Sequence, residues 1–294
     1  MTESRTIERI AALPDFPSRA STSHKGTFGK AAIVAGSRGM SGAACLAGQS
    51  ALRGGAGLVV VATPSGVLPI IAGYEPSYLT VPLQEDVDGR IALSALSDVI
   101  ELLNDATAGA IGPGLGRSAD LDELVHSVYR TVERPLVVDA DALNALVARP
   151  DGLTAGNAAG PRVLTPHPGE FARLIGQTTA AVQAHREEAA IEFAAKADVV
   201  LVLKGAETVI TDGLRVAINP TGNSGLATGG TGDVLTGVIA SLLAQGLEPF
   251  VAAQWGAYLH GLAGDIAASE LSQPGLIASD LPHHLATAWR RLGF

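Results

Sequence analysis

The chain has 294 residues, of which 47% are hydrophobic and 35 are glycine, and its formal net charge is −9. This length suits a large α/β domain with a substantial core, and an acidic balance without a basic block argues against nucleic acid as a partner. The single cysteine, Cys45, excludes an intramolecular disulfide framework and is typical of a reducing compartment, so a cytoplasmic protein is predicted.

Neither the first residues of the chain nor its longest apolar run predicts membrane association. The first residues carry scattered charges and no continuous apolar core, so no signal peptide is expected. The longest apolar run, 250–268, is interrupted by Gln254, His260 and Asp265. It therefore predicts a buried helix and not a membrane span.

Apolar runs alternate with helical patterns along most of the chain, which predicts an α/β fold with a central, mostly parallel sheet flanked by helices. After Asp233 the pattern changes to helices alone, near 233–245, 248–271 and 279–292. The predicted strands are Ala31–Ala35, Leu58–Ala62, Tyr78–Val81, Ala108–Ile111, Leu136–Asp139, Arg162–Leu164, Val199–Leu203, Thr208–Thr211 and Leu214–Ile218.

The first predicted strand opens a strand–turn–helix–strand unit with small residues at the turn. Glycines let a backbone approach a neighbour or a ligand closely, and small side chains let a helix pack tightly on a sheet. Tight packing alone explains such a turn, and so does a flat ligand seated there. The small residues in question are Gly36, Gly39, Gly42, Ala43, Ala44 and Ala47.

The stretch AIGPGLGR at 110–117, followed by a strand ending in VVDADALN, is close to a dinucleotide-binding fingerprint. The glycine spacing is GxGxG instead of GxGxxG, and Pro113 lacks the N–H that a phosphate needs. A Rossmann site is therefore not favoured. Asp139 and Asp141 follow a strand, where α/β sheets place ligand groups; either is also a candidate helix N-cap, and for Asp141 the cap is the favoured interpretation.

Two further strand ends carry polar residues. Pro166 and Pro168 stiffen the turn that presents His167, and Glu170 stands in the first turn of the following helix, where a negative charge is favourable. Lys204 ends an apolar strand and is placed to meet a phosphate, although a solvated hairpin lysine fits the same pattern. No GxxxxGK[ST] sequence is present, so phosphate binding of the P-loop type is excluded.

The most informative stretch is NPTGNSGLATGGTGDVLTG at 219–237, which passes from a strand through glycines into a helix. Free N–H groups at a helix start attract anions. A carboxylate there repels them, so Asp233 needs another role: a general base towards an attacking hydroxyl, or a helix N-cap. In the C-terminal helices, His260, His283 and His284 are interpreted as structural or surface residues. Trp255 and Trp289 are interpreted as core or interface residues.

These stretches, in this order, resemble the ADP- or ATP-dependent NAD(P)H-hydrate dehydratases of the ribokinase-like superfamily. The resemblance spans His24 to about Asp265 and implies a single ribokinase-like domain over residues 1–294, with residues 1 to about 23 as an N-terminal extension and no epimerase domain. It is carried by HKGTFGK, GSRGMSGAA, ALRGGAGLV, GPGLG, DADALN, TPHPGE, KGAET and GGTGDVLTG.

The resemblance also implies roles for individual residues. Asp233 and Gly232 are expected to be catalytic, and Glu170 is expected to hold Mg²⁺ through water. The pocket for the hydrated nicotinamide nucleotide is expected to involve Gly42, Ala43, Gly114, Gly116, His167 and Asp233. The adenine nucleotide is expected at Lys204, Gly205, Ala206, Glu207, Thr208, Gly229, Gly230, Thr231 and Gly232.

The implied reaction converts the hydrates NADHX and NADPHX to NADH and NADPH. ADP is the expected co-substrate, with ATP possible, and the family resemblance suggests a homotetramer. Two alternatives stay open at this point. One is a vitamin-precursor or sugar kinase of the same superfamily, and the other is a non-catalytic nucleotide-binding regulator, which would have no use for Asp233.

Overall fold

A computed structural model describes residues 6–148, 153–154 and 156–294. Its centre is a ten-stranded sheet in the order β1-β10-β9-β8-β7-β6-β5-β2-β3-β4. The strands are β1 (Glu8–Arg9), β2 (Lys30–Val34), β3 (Leu58–Pro64), β4 (Leu79–Leu83), β5 (Ala108–Ile111), β6 (Leu136–Val138), β7 (Arg162–Leu164), β8 (Val200–Leu203), β9 (Val209–Thr211) and β10 (Arg215–Ile218).

Helices cover both faces of the sheet. They are α1 (Ser41–Arg53), α2 (Leu68–Tyr74), α3 (Leu96–Asp105), α4 (Ala119–Thr131), α5 (Ala140–Val147), α6 (Pro168–Leu174), α7 (Thr179–Ala184), α8 (Arg186–Ala197), α9 (Thr231–Ala244), α10 (Pro249–Leu271) and α11 (Leu281–Arg291).

The prediction of a mostly parallel sheet is confirmed. Strands β2 to β8 all run parallel to one another. Strand β9 is antiparallel to both β8 and β10, because these three follow one another through short turns. The sequence pattern did not predict β1, since its two polar residues, Glu8 and Arg9, show no apolar alternation. This short strand is defined by its parallel pairing with β10.

Alternate residues of the central strands enter two different cores, as the two-residue period of a strand requires. On β2, Ala31 and Ile33 pack with α1, α9, α10 and α11. Ala32 and Val34 belong to the core on the other face, which includes residues of α3, α4, α5 and α8. Strands buried on both faces read as continuous apolar runs, which explains why the sequence showed the strands so clearly.

The long helix α10 is buried within the chain, between α9, α11 and the sheet. Its tryptophan Trp255 is 5% exposed and stacks with Trp289 at 6.2 Å between ring centroids. Both rings contact Phe16 of the N-terminal segment. Across the described part of the chain, no helix combines the length and apolarity that crossing a membrane requires.

Candidate active site

The carboxyl ends of the parallel strands and the start of α9 meet at one edge of the sheet, where α/β folds place their ligand sites. Backbone hydrogen bonds tie the loops together: Gly36 N donates to Pro113 O at 2.8 Å, and Lys204 N donates to Pro166 O at 2.9 Å. Most of the polar residues predicted to be functional lie at this edge.

Asp139 lies at the centre of the edge and is 1% exposed. Its Oδ1 accepts a hydrogen bond from Lys204 Nζ at 2.9 Å, and its Oδ2 accepts one from Thr236 Oγ1 at 2.7 Å. Lys204 Nζ also lies 4.0 Å from Glu170 Oε2. Lys204 is thus a mostly buried, ion-paired lysine and not a solvated hairpin residue.

His167 and Glu170 form a reciprocal cap at the start of α6. His167 Nδ1 accepts hydrogen bonds from the N–H groups of Gly169 and Glu170, and Glu170 Oε2 accepts one from His167 N at 2.8 Å. Burial raises the pKa of Glu170, while Lys204 opposes that change. Burial, with Lys204 nearby, lowers the pKa of His167, so a neutral imidazole stands at the mouth of the site.

Asp233 is not the N-cap of α9. That position belongs to Gly230, which has φ +94° and makes no side-chain capping bond, so Asp233 stands in the first helical turn. Burial raises the pKa of Asp233 to about 7, and the negative charge of Asp139 adds to the effect while Lys204 opposes it. A carboxyl group with this pKa accepts protons far more readily than an ordinary aspartate, as a general base requires.

The glycines before Asp233 leave room for a ligand. A Cβ on Gly229 would meet nothing within 4 Å, whereas one on Gly232 would lie 3.2 Å from Lys204 Nζ. Behind the loop, His260 Nε2 lies 2.9 Å from Thr231 O, and burial lowers the pKa of His260 to about 4. His260 is therefore a neutral donor that supports the start of α9.

The loops predicted to contact the substrate lie beside α1. Gly114 has φ +61°, and a Cβ there would lie 2.9 Å from Ala43 Cβ, whereas a Cβ on Gly42 would meet open space. Gly116 N donates to Asp141 Oδ2 at 2.8 Å. The interpretation of Asp141 as an N-cap is therefore wrong: Asp139 occupies the N-cap position of α5, and Asp141 holds the glycine loop instead.

The segment 204–208 turns between β8 and β9. Thr208, predicted as the first residue of a strand, lies just before β9. Its Oγ1 donates to Gly205 O at 2.9 Å and closes the turn. Glu207 has φ +53°. Arg186, which the sequence did not mark, donates to the carbonyl oxygens of Ala206, Leu203 and Lys204 and thereby shapes this loop; no local pattern distinguishes it from other arginines at a helix start.

The site carries more negative than positive charge. Four carboxyl groups, Asp139, Asp141, Glu170 and Asp233, lie within electrostatic range of one another. Lys204 opposes their charge, as do Arg117 near Asp141 and Arg173 near Glu170. Within the described ranges no group of three or more His, Cys, Asp or Glu side chains is arranged to hold a metal directly. The residues therefore fit a hydrated divalent cation, since Mg²⁺ commonly keeps several waters and binds few carboxylates.

The family model described as NAD(P)H-hydrate dehydratase matches residues 31–287. The chain is 39% identical over 288 residues to the ADP-dependent (S)-NAD(P)H-hydrate dehydratase of Bacillus subtilis, covering 97% of each protein. It is 49% identical over 278 residues to a bifunctional NAD(P)H-hydrate repair enzyme of Moorella thermoacetica, covering 94% of this chain and 52% of that protein. The chain thus spans about half the length of the bifunctional relatives that it matches.

Solved structures agree. A crystal structure of the ADP/ATP-dependent NAD(P)H-hydrate dehydratase of Bacillus subtilis, co-crystallised with ATP/Mg²⁺, matches with a TM-score of 0.82 and 37% identity over 94% of each chain. A ribokinase-like superfamily protein of Enterococcus faecalis matches with a TM-score of 0.78 and 27% identity over 93% of this chain and 91% of that one. The chain has the ribokinase-like fold and belongs to the NAD(P)H-hydrate dehydratase family.

Proposed function

We propose that this protein is an ADP-dependent dehydratase that returns hydrated NADH and NADPH to the intact cofactors. The observation that carries the proposal is the partly buried Asp233 carboxyl, whose pKa is raised to about 7 beside Lys204 and an open glycine turn. A pure nucleotide binder has no use for such a base. The family membership supplies the substrate class.

The reaction begins when Asp233 accepts the proton of the substrate hydroxyl. The hydroxyl oxygen attacks the terminal phosphorus of ADP, the bond from that phosphorus to the bridging oxygen breaks, and AMP leaves. Phosphate then departs from the ring carbon with the electrons of the carbon–oxygen bond, while a proton is lost from the neighbouring carbon. The net products are the reduced nicotinamide nucleotide, AMP and phosphate.

The remaining residues of the site position the ligands and neutralise the charge of the phosphates. Lys204 and the backbone N–H groups at the start of α9 face the charge that develops on the transferred phosphoryl group. Glu170 would hold Mg²⁺ through water. When bound, Mg²⁺ supplies charge neutralisation at the phosphates.

The proposal assigns the two ligands to different groups of residues. The nicotinamide hydrate is assigned to the side of Gly42, Ala43, Gly114, Gly116 and His167. The adenine nucleotide is assigned to the side of 204–208 and 229–232. The same proposal includes a preference for ADP, the use of Mg²⁺, a homotetramer, a cytoplasmic location and a single catalytic unit over residues 1–294. Light scattering tests the tetramer, which a monomer at working concentration would contradict.

The deciding experiment incubates the protein with hydrated NADH or NADPH, Mg²⁺ and either ADP or ATP, and follows the return of reduced nicotinamide absorbance. Recovery is expected only with nucleotide present, and ADP is expected to serve better than ATP. Turnover with ATP and none with ADP would reject the nucleotide assignment. Efficient phosphorylation of a sugar or vitamin-precursor alcohol, with the hydrate ignored, would establish the alternative kinase function instead.

A further inference from the structure

Asp139 is fixed at both carboxylate oxygens by donors from two different elements. Lys204 lies at the end of β8, and Thr236 lies inside α9, 97 residues away from Asp139 in sequence. Asp139 is 1% exposed and Thr236 is fully buried. A buried carboxylate with a fixed donor on each oxygen is held in one orientation, because breaking either hydrogen bond leaves an unsatisfied charge.

The backbone around Asp139 is fixed as well. Its N–H donates to Ile111 O at 3.1 Å, and a Cβ on Gly112 would collide with its carbonyl oxygen. The next residue, Ala140, has φ +50°, a conformation that residues other than glycine adopt rarely and at a cost. Such strain persists where the surroundings over-determine a conformation, and it clusters at functional sites.

Thr236 stands three residues after Asp233, so both side chains lie on the same face of α9. A threonine inside a helix commonly bonds to a backbone carbonyl of the preceding turn. Here its hydroxyl donates to the Asp139 carboxylate instead. The hydrogen-bonded path from α9 through Thr236 and Asp139 ends at the Lys204 ammonium.

We propose that Thr236 and Asp139 are positioning residues for phosphoryl transfer: Thr236 orients Asp139, and Asp139 holds the Lys204 ammonium against the first turn of α9. This inference rests on the proposed function and deepens it. The position of Lys204 supports it, because the Nζ atom lies 3.2 Å from where a Cβ on Gly232 would be. A lysine side chain otherwise has four flexible bonds and no fixed place.

The electrostatic surroundings of Asp233 agree with this assignment. The charged groups that influence it are Asp139, Asp141, Glu170 and Lys204, and after burial the charge of Asp139 contributes most to its raised pKa. His260, which contacts the start of the helix, is partly buried and neutral near pH 7. Removing the charge of Asp139 is therefore expected to lower the pKa of Asp233.

The first test compares Thr236→Val with Thr236→Ser. Valine keeps the shape and removes the donor, whereas serine keeps the donor. We expect kcat of Thr236→Val to fall roughly 10- to 100-fold, the equivalent of one hydrogen bond to a charged group, with little change in KM for the nucleotide. Thr236→Ser is expected to recover most of the lost rate. Equal losses in both variants, or none in valine, would overturn the proposal.

The second test is Asp139→Asn, which keeps the shape and hydrogen-bonding capacity of the side chain but removes its charge. The acid limb of the pH profile of kcat is expected to move to lower pH by about one unit. A purely structural Asp139 predicts a lower rate with an unmoved acid limb, and that result would overturn the proposal.

A measurement without turnover separates this inference from the proposed function. Thermal unfolding is measured between about pH 5 and pH 8 for the wild type, Asp139→Asn, Asp233→Asn and the double variant. The wild type is expected to lose stability as pH rises through this window, and Asp139→Asn to lose less. In the Asp233→Asn background, Asp139→Asn is expected to add little pH dependence. If the two substitutions had additive effects on the pH dependence of stability, the coupling between Asp139 and Asp233 would be rejected. This holds even if the wild type proved inactive on the hydrates.

Discussion

At the scale of the residue, the site depends on one aspartate whose environment disfavours its charge. Asp233 is substantially buried and faces Asp139, Asp141 and Glu170, with Lys204 as the opposing cation. Burial and like charges both raise a carboxyl pKa. The result is a group that ionises near neutral pH, where a general base is most effective.

Asp233→Asn separates catalysis from binding. The variant keeps the size of the side chain but cannot accept the substrate proton, so turnover is expected to fall by at least ~10²-fold. Nucleotide affinity is expected to hold or rise, because one negative charge near the phosphates is removed. Calorimetric titration of ADP beside a turnover assay measures both quantities. Near-normal turnover would reject Asp233 as the base.

The same substitution is expected to change stability in a pH-dependent way. Because the pKa of Asp233 is about 7 in the folded chain against an ordinary 3.8, the folded state keeps a proton that the unfolded state releases. Asp233 therefore has no effect on stability below about pH 4, costs stability progressively between about pH 4 and pH 7, and imposes its full cost above.

The raised pKa of Asp233 corresponds to a loss of roughly 4 kcal/mol in the free energy of unfolding above pH 7. Solvent screening at this partly exposed side chain reduces that loss to about 2 kcal/mol. Asp233→Asn is thus expected to unfold at higher denaturant concentration than the wild type near pH 8 and at the same concentration near pH 4. A gain that is equal at both pH values would contradict the raised pKa.

At the scale of the element, α9 is flanked by glycines that differ in backbone conformation and in the space around them. Gly229, before its start, faces open space, and Gly246, after its end, has φ +87° with nothing within 4 Å of a Cβ. Gly230 has φ +94° and a Cβ there would lie 2.8 Å from Leu46 Cδ1. Gly229 is thus the glycine whose replacement tests ligand approach without disturbing the fold.

Gly229→Ala is expected to leave the free energy of unfolding within about 0.5 kcal/mol while weakening nucleotide binding, since its methyl group enters the space assigned to phosphate. Gly246→Ala is the matched control. It is expected to lose about 1 kcal/mol of stability through its left-handed backbone and to retain activity. Normal ADP binding by Gly229→Ala, measured by calorimetry, would remove the glycine turn from the nucleotide site.

At the scale of the whole molecule, the sheet joins a site at its carboxyl edge to two cores on its faces, and the N-terminal segment completes one of them. Phe16 contacts the rings of Trp255, Trp289 and Phe294 at centroid distances of 5.1, 4.9 and 5.3 Å. Trp255 Nε1 also donates to Pro14 O at 3.1 Å. Residues before β2 are therefore packed against the helical layer.

Phe16→Ala tests whether this segment belongs to the same folding unit. We expect a loss of about 2 kcal/mol, below the ~3–5 kcal/mol of a fully buried phenylalanine because Phe16 is partly exposed. Tryptophan fluorescence is expected to change, and turnover at low temperature to persist. Phe16→Leu, which keeps most of the apolar volume, serves as the control. An unchanged unfolding midpoint would show that the segment folds separately.

The amino-acid sequence by itself determined the parallel α/β architecture, nine of the ten strands in the described residues and the all-helical last fifth of the chain. Strands buried on two faces are apolar throughout, whereas helices space their apolar residues differently. It also placed Asp233, His167, Glu170 and Lys204 at strand or helix ends. The apolar run 250–268, predicted to be a buried helix, packs within the chain between α9, α11 and the sheet.

Tertiary structure alone decided which of these residues meet. Asp139 bonds to Thr236 across 97 residues of sequence, Asp141 holds Gly116 instead of capping a helix, and Arg186 shapes the loop after β8. The raised pKa of Asp233 likewise depends on burial and on the carboxylates of Asp139, Asp141 and Glu170. Charges and hydrogen bonds act through distances of a few ångströms, and only the folded chain sets those distances.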